Sequence, residues 1–185
     1  MATLLLVETE ETTVEAGNTP DTEPASDQMT LASALQAELF ERSQMLATAE
    51  SLTGGRLGDV MSAAPGASDT YLGGVISYAT DVKHNVLGVS EETIERHGVV
   101  SAECAEEMAT GVRELVGADW AVSTTGVAGP TKQEDKPVGL VFIGVAGPGV
   151  VRSERFDFDG ERAEIREKVV KAAIDLVLET VRTGG

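Results

Sequence analysis

The sequence predicts a three-layer α/β/α domain built on a mixed sheet whose final strand pair is antiparallel. Segments with helical periodicity and short β-branched segments interleave along the chain without any repeat, which is typical of α/β domains. Near the C-terminus, β-branched residues at 138–145 and 150–158 flank the turn Gly147-Pro148-Gly149, which indicates an antiparallel hairpin. The length of 185 residues suits one well-buried domain with a tail.

The first half of the chain opens with an amphipathic segment. Leu31, Leu35 and Leu39 recur every four residues, which predicts a helix with Thr30 or Asp27 near its cap. Glycine and proline positions mark where the following elements begin and end. The predicted order is a helix over residues 30–43, a strand over 45–49, a helix over 51–63 and a strand over 75–78.

The second half contains clear start and stop signals for helices. Ser90 and Ser101 stand at predicted helix starts, while Gly88, Gly98 and Gly117 follow predicted helix ends. The predicted order is helices over residues 81–87, 90–97 and 101–116, a buried strand over 120–123, a glycine-rich loop, strands over 138–145 and 150–158, and a last helix over 161–181.

The composition separates an acidic tail from the domain. Residues 1–29 are predicted to be disordered and residues 30–185 to be the domain, because the first thirty residues hold seven acidic side chains and no Lys or Arg. The whole chain has 14 Lys and Arg against 31 Asp and Glu, a formal charge of −17. Such a surface repels phosphate backbones and anionic lipid headgroups, so we expect neither nucleic acid nor membrane as a partner.

Cysteine and histidine usage argues against disulfides and metal. Cys104 is the only cysteine, which excludes an intramolecular disulfide, and its helical spacing from Met108 predicts a core position. His84 and His97 lie on different predicted helices without a zinc spacing, so no metal site is expected. Neither a signal peptide nor a membrane-length apolar run is found, and we expect a cytoplasmic location.

A serine, a tyrosine and a lysine lie in polar segments at predicted strand or helix ends. Ser51 stands where a strand leads into a helix, where it can cap the helix or act as a nucleophile beside unsatisfied N–H groups. Lys83 can be the base that activates a hydroxyl if burial lowers its pKa, or an ordinary surface lysine. Tyr78 can relay the proton or orient the lysine, or be a strand residue with an exposed hydroxyl.

Two other site classes use similar residues. Short-chain dehydrogenases use Ser, Tyr and Lys, but Tyr78 and Lys83 are five positions apart instead of four, and no G-x-G-x-x-G is present. The Thr125–Gly129 loop can offer N–H groups to an anion but lacks the ending of a phosphate loop. Arg162 and Arg166, four apart, can reach a phosphate or pair with neighbouring glutamates.

Six motifs in this order resemble the CinA C-terminal domain family, in the stand-alone form of the PncC-type nicotinamide-nucleotide amidases. The resemblance extends from about residue 31 to residue 181. The motifs are Ala49-Glu-Ser-Leu-Thr-Gly-Gly55, Ile76-Ser-Tyr-Ala79, Val82-Lys-His-Asn-Val-Leu-Gly-Val89, Glu95-Arg-His-Gly-Val-Val-Ser101, Thr125-Gly-Val-Ala-Gly-Pro130 and Lys136-Pro-Val-Gly139.

The resemblance implies hydrolysis of nicotinamide mononucleotide to nicotinate mononucleotide and ammonia, without metal or organic cofactor. It implies that Ser51 is the nucleophile, Lys83 its base and Tyr78 an assisting proton carrier. The N–H groups near Ser51, Thr53 and Gly54 are the implied candidates for the oxyanion hole. It also implies a homo-oligomer. The residues implied to bind the nucleotide are Thr53, Gly54, Gly55, Thr125, Gly126, Gly129, Arg162 and Arg166.

One segment departs from the family pattern. The family usually continues Gly-Pro with two or more glycines, whereas this chain has Thr131-Lys-Gln-Glu-Asp135. We expect this loop to move backbone donors, or to bring Glu134 and Asp135 where a phosphate would bind. Two alternatives therefore remain beside the amidase: a nucleotide-binding module without catalysis, in which Ser51 is only a cap, and a serine amidase for another small amide.

Overall fold

The computed structural model describes residues 26–184, which form seven helices and five strands. The elements, in chain order, are α1 (Ser26–Arg42), β1 (Leu46–Glu50), α2 (Arg56–Ala63), α3 (Ala67–Thr70), β2 (Tyr71–Ile76), α4 (Thr80–Leu87), α5 (Glu91–His97), α6 (Ala102–Val116), β3 (Trp120–Gly126), β4 (Leu140–Gly147), β5 (Val150–Asp157) and α7 (Arg162–Thr183).

The five strands form one mixed sheet in the order β2-β1-β3-β4-β5. The strands β2, β1 and β3 are parallel, and β4 is antiparallel to both of its neighbours. Helices connect the parallel strands, while a tight turn at Pro148 and Gly149 connects β4 to β5. The predicted mixed sheet and the predicted antiparallel final pair are confirmed.

Helices cover the two faces of the sheet and make three layers. Alternate residues of β1 point to opposite faces, so Leu46 packs in one core while Ala47 and Ala49 pack in the other. The first core contains apolar residues of α1, α2 and α7, and the second contains residues of α4 and α6. Cys104 is fully buried in the second core, as its spacing predicted.

Helix ends follow the sequence signals in the second half of the domain. The Ser90 hydroxyl accepts a hydrogen bond from the N–H of Thr93, and the Ser101 hydroxyl accepts one from Cys104. Gly88 and Gly117 end α4 and α6 in the left-handed conformation. The predicted helices over residues 81–87, 90–97 and 101–116 are therefore confirmed within one residue at each end, and the last helix ends two residues later than predicted, at Thr183.

Several predicted boundaries in the first half are wrong. The first helix begins at Ser26, so Thr30 is not its cap, and residues 26–29 belong to α1 and not to the predicted tail. The strand predicted at 75–78 lies at Tyr71–Ile76, and the helix predicted from residue 51 begins at Arg56. The rest of the predicted acidic tail, residues 1–25, lies outside the described residues.

The three parallel strands point their carboxyl ends to the same edge of the sheet. Glu50, Ile76 and Gly126 are the last residues of these strands. Ligands of open α/β sheets bind at this edge, because the loops that follow the strands meet there. Between residues 26 and 184, no helix is long and apolar enough to cross a membrane.

Candidate active site

A pocket of about 320 Å³ opens at the carboxyl edge of the parallel strands. The turn after β1, the residues after β2, the loop after β3 and the first turn of α7 all contribute to it. Its walls are formed by Ser51, Leu52, Tyr78, Gly126, Val127, Ala128, Gly129, Thr131, Lys132, Gln133 and Arg162. Two of these side chains are cationic and none is a carboxylate, which favours an anionic ligand in an otherwise acidic protein.

Ser51 and Lys83 form a direct pair beside this pocket. The Nζ of Lys83 lies 3.0 Å from the Ser51 Oγ and donates a 2.6 Å hydrogen bond to the carbonyl oxygen of Ser77. Lys83 is only 1% exposed, so the alternative of an ordinary surface lysine is wrong. A neutral amine in this position can accept the hydroxyl proton while its own N–H donates to Ser77.

Burial lowers the pKa of Lys83 below its ordinary value of 10.5. The charges of Cys104 and Glu134 act in the opposite direction, but desolvation of the ammonium form outweighs them. A lysine with a lowered pKa is neutral in more of the molecules near neutral pH, and only the neutral form can act as a base.

The cap of α2 is Glu50, not Ser51. The Glu50 carboxylate is 2% exposed and accepts hydrogen bonds from the N–H groups of Gly55 at 2.9 Å, Leu57 at 3.1 Å and Gly58 at 2.8 Å. The capping alternative for Ser51 is therefore wrong. Strand alternation explains the arrangement, because successive side chains point to opposite faces: Glu50 contacts α2, and Ser51 contacts Lys83 on α4.

Side chains of other elements hold the turn that carries Ser51. The buried hydroxyl of Thr53 lies 2.8 Å from that of Thr124, and the Arg166 guanidinium donates to the Thr53 carbonyl oxygen. Gly54 has a φ of +59°, and a Cβ at this position would lie 2.9 Å from Arg166. Thr53, Gly54, Gly55 and Arg166 thus support the pocket from behind and do not form its wall.

The backbone N–H groups near Ser51 differ in availability. The N–H of Ser51 donates to Thr124, and the N–H of Gly54 donates to the Ser51 carbonyl. For the N–H of Thr53, no acceptor is found among residues 26–184. Of the N–H groups of Ser51, Thr53 and Gly54, that of Thr53 is therefore the one that can donate to a developing oxyanion.

Tyr78 and Arg162 lie together on the pocket wall. The Tyr78 side chain is exposed, and its hydroxyl lies 3.4 Å from an Arg162 nitrogen. Arg162 also donates a 2.6 Å hydrogen bond to the carbonyl oxygen of Gly129. Arg162 therefore lies on the pocket wall, whereas Arg166 is engaged with the Ser51 turn and its pKa is lowered by burial and by nearby Arg56 and Arg162.

The loop after β3 contributes backbone to the pocket. Gly126 and Gly129 are on the pocket wall. Thr125 is buried, and its hydroxyl donates a 2.5 Å hydrogen bond to the Val99 carbonyl, so its side chain supports the loop from the opposite side. The N–H of Gly139 donates to the Val127 carbonyl and closes the loop at its base.

The expectation that Glu134 would approach the pocket is wrong. Its carboxylate accepts hydrogen bonds from the N–H groups of Val99 and Val100 and pairs with Lys136. Neither Glu134 nor Asp135 is on the pocket wall, but Lys132 and Gln133 are. The sequence does not predict the roles of Glu50 and Lys132, because both depend on contacts that form only in the folded chain.

A larger cavity of about 410 Å³ lies beside α6, and its wall is acidic. It has four glutamates in its wall and neither a lysine nor an arginine. Among the described residues, no group of three or more His, Cys, Asp or Glu side chains is arranged to hold a metal ion.

The fold and the site define an α/β protein with a serine–lysine pair at the carboxyl edge of its parallel strands. The sequence model of the CinA C-terminal domain matches residues 28–181, so the chain belongs to the CinA C-terminal domain family. This finding confirms the resemblance drawn from the six motifs.

Two relatives illustrate the match in sequence. A CinA-like protein of Frankia casuarinae is 48% identical over 139 residues, which cover 75% of this chain and 32% of the relative. A putative competence-damage inducible protein of Bacillus subtilis is 42% identical over 153 residues, which cover 83% of this chain and 37% of the relative. The chain thus spans about a third of the length of these curated relatives.

Solved structures show the same fold. A CinA superfamily protein from Klebsiella pneumoniae superposes with a TM-score of 0.81 at 33% identity and covers 84% of this chain and 98% of its own. A competence/damage inducible protein from Agrobacterium tumefaciens superposes with a TM-score of 0.80 at 32% identity, covering 84% and 96%. The three-layer architecture is therefore that of the CinA superfamily.

Proposed function

We propose that the domain described by residues 26–184 is an amidohydrolase that converts nicotinamide mononucleotide to nicotinate mononucleotide and ammonia. The observation that carries this proposal is the 3.0 Å contact between Ser51 and the buried Lys83 amine, beside a pocket with two cations and no carboxylate. A serine with a desolvated lysine is suited to acyl transfer, and the cationic wall suits a phosphate. The choice of a pyridine carboxamide follows from the resemblance to the nicotinamide-nucleotide amidases.

The reaction begins with proton transfer from the Ser51 hydroxyl to the Lys83 amine. The Ser51 oxygen then attacks the carboxamide carbon, and the N–H of Thr53 stabilises the resulting oxyanion. The Lys83 ammonium then passes this proton to the departing nitrogen with the assistance of Tyr78, so that the C–N bond breaks, ammonia leaves, an ester remains on Ser51 and Lys83 is neutral again. Water, activated by the same amine, hydrolyses this ester and restores the free hydroxyl.

The remaining pocket residues bind and orient the substrate. Arg162 meets the phosphate as a charge-assisted donor, and its bond to Gly129 fixes its direction. Tyr78 stands on the same wall as Ser51 and assists proton transfer to the leaving nitrogen. Gly126 and Gly129 allow the nucleotide to approach the loop after β3. In this proposal Thr53, Gly54, Gly55, Thr125 and Arg166 position these groups.

The test is ammonia release from nicotinamide mononucleotide by the purified protein, with Ser51→Ala and Lys83→Met as variants. Each variant should lower turnover by at least about a thousandfold, because each removes a member of the nucleophile–base pair. Circular dichroism and urea unfolding of each variant show whether the fold persists. Retained turnover in a folded Ser51→Ala protein would contradict the assigned nucleophile.

Absence of turnover by the wild-type protein leads to the two alternatives. Calorimetric binding of the mononucleotide without ammonia release would favour a binding module. Turnover of another amide in a panel of small carboxamides would favour an amidase of different substrate.

We also propose a homo-oligomer, for which light scattering of the full chain provides the measurement.

A further inference from the structure

We propose that Lys132 is a specificity-determining residue that binds the phosphate group of the substrate, and that Glu134 and Lys136 are positioning residues that hold it at the pocket. The proposal rests on the proposed function, since that function supplies the phosphorylated substrate. Lys132 lies in the segment 131–135 after Pro130, and this segment forms part of the pocket wall.

The loop is fastened by a group that we call the loop latch, which consists of Glu134 and Lys136. The Glu134 carboxylate accepts hydrogen bonds from the Val99 N–H at 3.0 Å and the Val100 N–H at 3.3 Å. The Nζ of Lys136 donates to the carbonyl oxygens of His97 at 2.8 Å and Val100 at 2.7 Å, and pairs with Glu134 at 3.2 Å. The latch thus joins the loop to the segment between α5 and α6.

The latch requires a glycine at position 98, because the Glu134 carboxylate occupies the space that a side chain there would need. Gly98 has a φ of +76°, and a Cβ there would overlap the Glu134 carboxylate. Partial burial raises the pKa of Glu134, but the hydrogen bonds from Val99, Lys136 and Val100 outweigh it, and the net pKa lies below the ordinary value. The carboxylate is therefore ionised at neutral pH, when the latch is complete.

The segment that reaches the pocket is held on both sides, by the latch downstream and by Arg162 upstream. Thr131, Lys132 and Gln133 lie on the pocket wall, and Glu134 follows them directly. Upstream, Gly129 is held by the hydrogen bond from Arg162. The segment that carries Lys132 therefore runs between two anchored points, which lowers the entropy lost when its side chain binds a ligand.

In the described part of the chain, the ammonium group of Lys132 is free to bind a ligand, whereas the guanidinium groups of Arg162 and Arg166 already donate to carbonyl oxygens. Within residues 26–184, Lys132 makes neither an ion pair nor a side-chain hydrogen bond. Arg162 already donates to Gly129, and Arg166 to Thr53. A phosphate monoester offers three acceptor oxygens and about two negative charges, so a second cation beside Arg162 complements it.

The first test compares nicotinamide mononucleotide with nicotinamide riboside, which lacks the phosphate. Lys132→Ala should raise KM for the mononucleotide roughly tenfold, the loss expected for one charge-assisted contact, with a much smaller change in kcat. The riboside has no phosphate for Lys132 to bind, so its KM should differ by less than about twofold between the wild-type and Lys132→Ala proteins. Lys132→Arg should restore most of the affinity, and the exposed Lys171→Ala serves as the matched control.

The second test separates the positioning role from a structural one. Glu134→Gln should raise KM for the mononucleotide by roughly threefold to tenfold, because the loop is released. Lys132→Ala added to Glu134→Gln should then have a smaller effect than in the wild-type background. Full additivity of the two substitutions would overturn the positioning role, since independent sites add.

The outcomes distinguish this proposal from the proposed function. If the wild-type protein releases no ammonia, the proposed function fails, and calorimetry with nicotinamide mononucleotide tests Lys132 directly. Binding that Lys132→Ala weakens roughly tenfold supports the phosphate contact without any turnover. Equal binding by both proteins, no binding by the wild type, or an equal KM change for mononucleotide and riboside would each overturn it.

Discussion

Replacement of Glu50 tests how strongly the α2 cap controls the nucleophile. Glu50→Ala leaves three N–H groups without the acceptor that now lies 2.8–3.1 Å from them. Each unsatisfied buried donor costs about 1–3 kcal/mol. Since water reaches the half-buried Gly55 and Gly58, we expect a total loss of about 3–5 kcal/mol of unfolding free energy, a large share of the 5–15 kcal/mol typical of domains.

Glu50→Gln keeps the shape of the side chain and separates stability from catalysis. Its amide nitrogen must face an N–H group, so at least one hydrogen bond is lost at a cost of about 1–3 kcal/mol. The variant should fold, but displacement of Ser51 relative to Lys83 should lower kcat by roughly tenfold to a hundredfold. The assays are urea unfolding and ammonia release, with the exposed Glu167→Gln as control. A Glu50→Gln protein with wild-type stability and turnover would refute the reasoning.

The remaining predictions concern Lys83 and Cys104. Because burial lowers the pKa of Lys83 in the folded state, the unfolded chain binds more protons between that pKa and 10.5. The contribution of Lys83 to stability should therefore rise with pH across this window and be constant below it, and kcat/KM should rise through the same folded-state pKa. Urea unfolding at several pH values should show that Lys83→Met removes this rise, and an unchanged pH slope would contradict the assignment. Burial raises the pKa of the Cys104 thiol to about 12, so a thiol reagent at pH 8 should label the protein only after unfolding; rapid labelling of the folded protein would show an accessible thiolate.

The fold could be predicted where local signals agree with tertiary structure. Ser90 and Ser101 are helix caps in both sequence and structure, and the hairpin follows from its β-branched flanks. The strand β2 begins before its predicted position, because Gly73 and Gly74 have low strand propensity and are part of the strand only through their pairing with β1. Local propensity does not contain that pairing.

The site could be predicted only in part, for a similar reason. Ser51 and Lys83 are 32 positions apart, and the sequence points to them only because a serine can be a nucleophile and a lysine its base. The fold brings the Ser51 Oγ to 3.0 Å from the Lys83 Nζ. Glu134 looks like a surface charge in sequence, because the N–H groups of Val99 and Val100 that donate to it belong to a distant segment of the chain. Which glutamate caps a helix and which fastens a loop depends on contacts that no local pattern encodes.

The cap formed by Glu50 has a consequence for how the domain distinguishes anions. In many nucleotide-binding proteins a phosphate sits on the first N–H groups of a helix that follows a strand. Here the protein's own carboxylate fills that position on α2, so an incoming phosphate is excluded from it by charge and by occupancy. In the proposed function, recognition of the phosphate then depends on the long cationic side chains of Lys132 and Arg162 at the solvent boundary, whose attraction weakens as the salt concentration rises. Substrate affinity in this domain should accordingly vary with ionic strength more steeply than in proteins that bind phosphate through a buried helix terminus.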